Sequence, residues 1–258
     1  MMKLRSIKEK LYSEYIDQTL DISEKFHGLR EAEISSENFS FYTSVSSVFS
    51  SKIEGEDIDL DSYIKHKNFG IELLPDYTKK IDDLYEAYSF AKQNFLKEKN
   101  VLKAHEILSA NILKKHMQGV YRKSNMYVLT ESGQIEYVAA SPFEVENEMK
   151  SFFAEVDLLL QIKLSAEDVF FYAAVIHLVF VKIHPMNDGN GRLGRLLEKW
   201  FIAEKLGEKA WFLQSEKMYY QNHQLYYKNI RKLGLEYDVL DYSKSLDFLS
   251  MLPKSFEL

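Results

Sequence analysis

Residues 184–195 read HPMNDGNGRLGR, placing a histidine, an aspartate, two arginines and several glycines beside an apolar run. Glycines after a turn leave the backbone N–H groups of a helix start open, and such groups form an anion site. Here the nest is Gly189, Asn190 and Gly191. Arg192 and Arg195 are three positions apart and share a helical face. Two guanidinium forks beside an amide nest suit a polyphosphate better than a single carboxylate. Asp188 precedes the nest, and a carboxylate beside phosphates fits a shared Mg²⁺, which takes one or two protein carboxylates plus phosphate oxygens. His184 stands at the mouth of the turn and can accept a proton near neutral pH. The set implies transfer of a phosphate-containing group to a nucleophile. No Gly-Lys-Ser/Thr follows, so the stretch is not a P-loop.

The surrounding pattern says what must hold this set. The apolar stretch 167–183 reads as a buried helix that stops at His184 because the residue before a proline is pushed out of the α region. A second helix is expected from about Asn190 to about Leu206, with Gly207 as its cap. His177 lies within the apolar run and reads as a core histidine; Phe152, Phe153, Phe170 and Phe171 also read as core. Upstream, residues 1–30, 38–54, 78–99 and 104–116 read as helices, with 69–75 a connector. Two β-prone runs, 126–129 and 135–138, flank Glu131-Ser132-Gly133 as a hairpin. Residues 144–160, 216–234 and 241–250 complete the helical candidates. The expected fold is therefore all-α with one small β-hairpin.

Composition narrows the class. The chain has 258 residues, 46% of them hydrophobic, enough for a real core. It has no cysteine, which excludes disulfides, zinc-thiolate sites and a thiol nucleophile. A net charge of −6 argues against a general nucleic-acid surface. The longest apolar run, 169–181, is too short to span a bilayer, and the first fifteen residues lack an apolar signal core. A cytoplasmic protein without membrane or nucleic-acid partners is expected, and the sequence leaves self-association open.

The stretch 184–195 resembles the motif of the Fic family, H-x-F-x-D/E-G-N-G-R-x-x-R. Every polar position matches, and Met186 stands where the family usually has phenylalanine. The likeness extends over roughly residues 100–235. It implies a Fic-type helical core over 100–258 and an N-terminal helical region over 1–99. It also implies a protein adenylyltransferase moving AMP from ATP, with Mg²⁺, to a hydroxyl of a target protein. On that reading His184 is the base and Asp188 the metal ligand. Gly189, Asn190 and Gly191 wrap the phosphates, and Arg192 and Arg195 bind the outer ones. Asn222, Tyr226 and Tyr227 resemble the family's wall for the nucleotide base. Residues 50–55, SSKIEG, resemble its inhibitory motif, with Ser50 and Glu54 one turn apart; in similar proteins this glutamate pairs with the arginine at the position of Arg195. The hairpin resembles a flap on which the target docks as an extended strand along Met126–Val138. Three alternatives stay open: transfer of another phosphate-containing group, removal of AMP, and nucleotide binding without turnover.

Overall fold

A computed structural model of the chain describes residues 3–29, 36–71, 75–129 and 135–257. The element order is α1 (Lys3–Gln18), α2 (Ile22–Gly28), α3 (Ser36–Ile53), α4 (Leu60–Phe69), α5 (Pro75–Lys92) and α6 (Glu98–Leu108). Next come β1 (Tyr127–Leu129), β2 (Ile135–Val138), α7 (Val145–Gln161), α8 (Ala166–Ile183) and α9 (Asn190–Leu206). The chain closes with α10 (Ser215–Gln221), α11 (His223–Arg231), α12 (Leu246–Leu249) and short 3₁₀ turns. The expected all-α class with one antiparallel hairpin is the observed one.

Helix α8 is apolar on nearly every face and buried all round, the mark of a central helix. It starts at a capping box: Ser165 Oγ accepts from Asp168 N, and Asp168 Oδ2 accepts from Ser165 N. Its main partner is α9. The two approach closely because Gly194 has no side chain; a Cβ there would lie 2.8 Å from Val181 Cγ1 and 2.9 Å from His177 Cδ2. Leu4, Ile7, Leu11 and Tyr15 of α1 join the same core, and so does Ile53 at the end of α3. Val48, Ile58, Tyr63 and Ile81 form a smaller cluster among α3, α4 and α5.

Several expected helices are cut differently. The span 1–30 is two helices, because Thr19 Oγ1 bonds the carbonyl of Tyr15 at 2.6 Å and Asp21 turns left-handed at φ 66°. Helix 78–99 ends at Lys92, where Asn94 Nδ2 bonds Phe90 O and the Asn94 carbonyl is taken by Trp200 Nε1. The span 104–116 is instead 98–108. Ser109 Oγ bonds the His105 carbonyl, and Asn111 is drawn to Asp83. The span 216–234 breaks at Asn222, and 241–250 divides into a 3₁₀ turn at Tyr242–Lys244 and the short α12. Helix α4 was not expected; its charged, low-periodicity sequence hides it. The hairpin turn 131–133 lies outside the described residues.

Candidate functional site

The turn between α8 and α9 is held by its own residues. His184 closes α8 in the left-handed region, at φ 54° and ψ 56°, with its N–H on Phe180 O. Such a conformation is uncommon for a side-chain-bearing residue and marks a constrained position. Gly189 takes φ 78° at the start of α9. The Asn190 side chain folds back on the loop: Oδ1 accepts from Met186 N at 2.8 Å and Nδ2 donates to Met186 O at 3.0 Å. Its side chain is thus a staple of the turn, which leaves any phosphate contact at this position to the backbone N–H. Met186 is wholly buried and anchors the turn in the core, filling the place where an aromatic ring would sit.

His105 supports the far end of the turn. Its Nδ1 accepts from Gly119 N at 2.9 Å, so the proton sits on Nε2, which donates to Asp188 O at 2.9 Å. Burial pushes its pKa below the ordinary histidine value. The Asp188 carboxylate itself is exposed, with Oδ1 accepting from Gly189 N at 2.6 Å.

The His184 ring is held in one tautomer. Its Nδ1 lies 3.1 Å from the carbonyl of Val181. A carbonyl only accepts, so Nδ1 carries the proton and Nε2 keeps its lone pair. Burial lowers the pKa, the nearby charge of Arg122 lowers it further, and the neighbouring carboxylates of Glu54 and Asp188 do not reverse this. The ring is therefore neutral at pH 7. It lines a cavity with Glu54, Val128, Tyr137, Gly191, Arg195 and Tyr226.

Arg195 is fully buried yet meets an acid from α3's end. Its Nη2 donates to Glu54 Oε1 at 2.6 Å and to Ser50 O at 3.0 Å, and its Nε donates to Ser50 Oγ at 2.8 Å. Burial alone would raise the Glu54 pKa, but Arg195 and Arg192 hold it below the usual carboxylate value. The carboxylate lies on the bare face of Gly191, where a Cβ would come within 2.4 Å of Glu54 Oε1. Behind Arg195 a buried chain continues. Nη1 reaches the Tyr226 hydroxyl at 3.3 Å, that hydroxyl lies 3.0 Å from His177 Nε2, and His177 Nδ1 lies 2.8 Å from Glu198 Oε2. Burial lifts the Tyr226 phenol to about 12, so it stays protonated. Arg192 faces a second acid: its Nη2 lies 3.7 Å from Glu56 Oε1, which also binds Lys80 at 2.6 Å.

The structure thus gathers His184, Gly191, Arg195, Tyr226, Tyr227 and Glu54 around one cavity. Asn222 does not join them. Its amide bonds Met218 O at 3.0 Å at the break between α10 and α11, so it shapes the hinge rather than the cavity wall. Sequence reasoning missed Glu56, Arg122, His105, Tyr137 and Lys182. His105 had no ligand spacing, and the others carry no local motif; only their tertiary neighbours reveal them.

A polyphosphate fits these residues. Arg192 Nε is buried without a partner, Gly191 leaves an open face, and the Glu54 carboxylate already occupies an anionic position at Arg195. For a metal, no group of three or more acidic or histidine side chains is found among the described residues. A cation would therefore rest on Asp188 and on phosphate oxygens, the arrangement Mg²⁺ favours.

Residues 95–202 match the model of the Fic/DOC family. A Fic family protein from Desulfovibrio desulfuricans G20 has a similar structure, with TM-score 0.78 and 18% identity over 95% of this chain and 72% of that one. A Fic domain containing signaling protein from Bacteroides thetaiotaomicron VPI-5482 superposes with TM-score 0.70 at 19% identity, covering 93% of this chain and 95% of its own. Fic-1 from C. elegans follows at TM-score 0.68 and 14% identity, over 96% of this chain and 72% of that one. No curated protein matches the chain in sequence. Among the described residues, no helix is long and apolar enough to cross a membrane.

Proposed function

We propose that this protein transfers AMP from ATP to a hydroxyl side chain of a target protein, and that Glu54 restrains it. The observation that carries the reading is the 2.6 Å Arg195–Glu54 pair lying on Gly191, in the same cavity as a histidine with a free Nε2. His184 Nε2 removes the proton of the incoming hydroxyl. Its oxygen attacks the α-phosphorus, the bond to the bridging oxygen breaks, and pyrophosphate leaves. Arg192, Arg195 and the N–H groups at the start of α9 hold the outer phosphates. Asp188 is the residue suited to Mg²⁺, which would neutralise phosphate charge when bound. An extended target segment adds to the hairpin, where main-chain pairing gives register with little sequence demand. Val138 N already donates to Leu235 O at 2.8 Å, so that end of β2 is occupied and the edge of β1 is the docking edge.

One carboxylate and one γ-phosphate seek the same guanidinium, and both pairs are charge-assisted. Glu54→Gly should therefore raise labelling by α-radiolabelled ATP by ~10-fold, because 1.4 kcal/mol is a factor of ten and a close pair on a wholly buried arginine is worth about that. Autoradiography of wild type, Glu54→Gly and the Glu54→Gly, His184→Ala double variant tests it. The double variant should be dark. Equal labelling of wild type and Glu54→Gly would remove the restraint from the reading, and no labelling in any variant would remove the transfer.

A further inference from the structure

Arg122 is buried to 1% exposure, yet no carboxylate faces it among its hydrogen bonds. Its partners are backbone carbonyls. Nε donates to His184 O at 2.7 Å, Nη1 to Ser124 O at 2.8 Å, and Nη2 to Ile183 O at 3.3 Å and to Ala140 O. Its own N–H donates to Pro185 O at 2.9 Å. Three of these carbonyls, Ile183, His184 and Pro185, run through the end of α8, where helix carbonyls lack intrahelical partners and the dipole is negative. The other two belong to the legs of the hairpin, since Ser124 precedes β1 and Ala140 follows β2.

We propose that Arg122 is a positioning residue for the transfer reaction, fixing the His184 backbone and tying the legs of the hairpin to it. The inference rests on the transferase reading above. His184 sits at φ 54°, a conformation that a residue with a side chain keeps only when its surroundings impose it. Arg122 holds the carbonyls before, at and after that residue, and so sets the direction in which the ring leaves the chain. The Val181 carbonyl then fixes the ring's rotation through Nδ1. The same guanidinium sets the distance between Nε2 and the edge on which a target strand would lie. A purely structural arginine would need no such division of its donors between the base and the docking edge. Lysine cannot reproduce it, because a single ammonium lacks the planar fork.

The test compares Arg122→Lys and Arg122→Met in the Glu54→Gly background. Three quantities are read: target labelling, Mg²⁺-ATP affinity, and the Nδ1–H resonance of His184 in ¹⁵N-histidine protein, assigned by its absence in His184→Asn. A misplaced reacting group of about 1 Å can cost about 10²-fold, so Arg122→Met should lose about that much labelling and Arg122→Lys about 10-fold. ATP affinity should stay within about twofold, because the arginine contacts no residue of the phosphate nest, and the Nδ1–H signal should shift or broaden. Labelling at the parental rate overturns the proposal. So does a loss of ATP affinity in step with labelling, which is the mark of a general structural role. If the Glu54→Gly parent labels nothing, the transferase reading falls, and the imidazole signal decides for Arg122: unmoved in Arg122→Met, it overturns the positioning role. If Arg122→Met does not fold, Arg122→Lys carries the same comparison at the smaller expected loss.

Discussion

Arg195 and Arg192 each face an acid from the segment after α3, but the two pairs differ in weight. Arg195 is wholly buried and its contact with Glu54 is 2.6 Å. The Glu54 and Glu56 side chains are similarly exposed, 26% and 29%, but Glu56 lies 3.7 Å from Arg192 and is shared with Lys80. A long, shared ion pair is worth ~0–1 kcal/mol, whereas parting a wholly buried arginine from its close carboxylate costs more. Glu56→Gln should therefore raise labelling by less than about fivefold, well short of the effect expected of Glu54→Gly. Side-by-side initial rates with labelled ATP check this, and equal gains from the two variants would show that Arg192 is as tightly restrained as Arg195. Asp188→Ala should reduce both the Mg²⁺ dependence of ATP binding and turnover, since a bridging cation touches ground state and transition state alike. A Mg²⁺ titration that does not change would remove Asp188 from that role.

At the scale of elements, α8 and α9 carry the site between them, and their closeness depends on Gly194. A Cβ at that position would press on Val181 and on His177, which itself belongs to the chain behind Arg195. Gly194→Ala should destabilise the fold by ~1–3 kcal/mol through overpacking, although alanine is the better helix former. A thermal melt should fall by roughly 2–4 °C per kcal/mol for a chain of this size; a melt at or above that of wild type would show that the interface yields. The α8–turn–α9 unit was legible in the sequence because its signals are local: an apolar run, a histidine before proline, glycines, and arginines three apart. Glu54 was legible only through a motif resemblance, and its contact lies 141 positions away in the chain. Arg122 and His105 were not legible. Each acts on backbone carbonyls, which have no residue identity, so no spacing of side-chain types announces the contact. The helix boundaries that differed fail for a related reason. Asn94, Ser109 and Asn222 offer the backbone competing hydrogen bonds that hydropathy does not register.

For the molecule as a whole, α3 is not a loosely attached lid. Besides Ser50, it presents Ser46 to a buried cluster in which Lys199 Nζ binds Ser46 Oγ at 2.6 Å, Leu213 O at 2.7 Å and Glu216 Oε2 at 2.7 Å. Tyr88 of α5 closes the cluster on Glu216 Oε1 at 2.6 Å. Releasing Glu54 by removing the whole helix would strand that ion pair, so the economical route is a swing of the carboxylate with the turn that follows α3. The same buried charges make stability depend on pH in two windows. The pKa values of His105 and His184 are depressed by burial below the ordinary 6.5, so the unfolded chain binds their protons first as pH falls. Their contribution is complete above pH 6.5 and is lost on descending below it. For Glu54 and Glu216, burial acts against ionisation, but the paired cations win and hold both below 4.5. Their contribution is complete above about 4.5 and disappears only as pH falls further. Melting temperature should thus decline in a first step between pH 7 and 5 and in a steeper second step below 4.5. His184→Ala should make the first step shallower, because it removes one of the two histidines responsible, and should leave the second in place. Melts of wild type and His184→Ala at half-unit intervals from pH 8 to 3.5 decide the matter. A wild-type curve flat down to pH 5 would mean that neither histidine is held neutral by the fold.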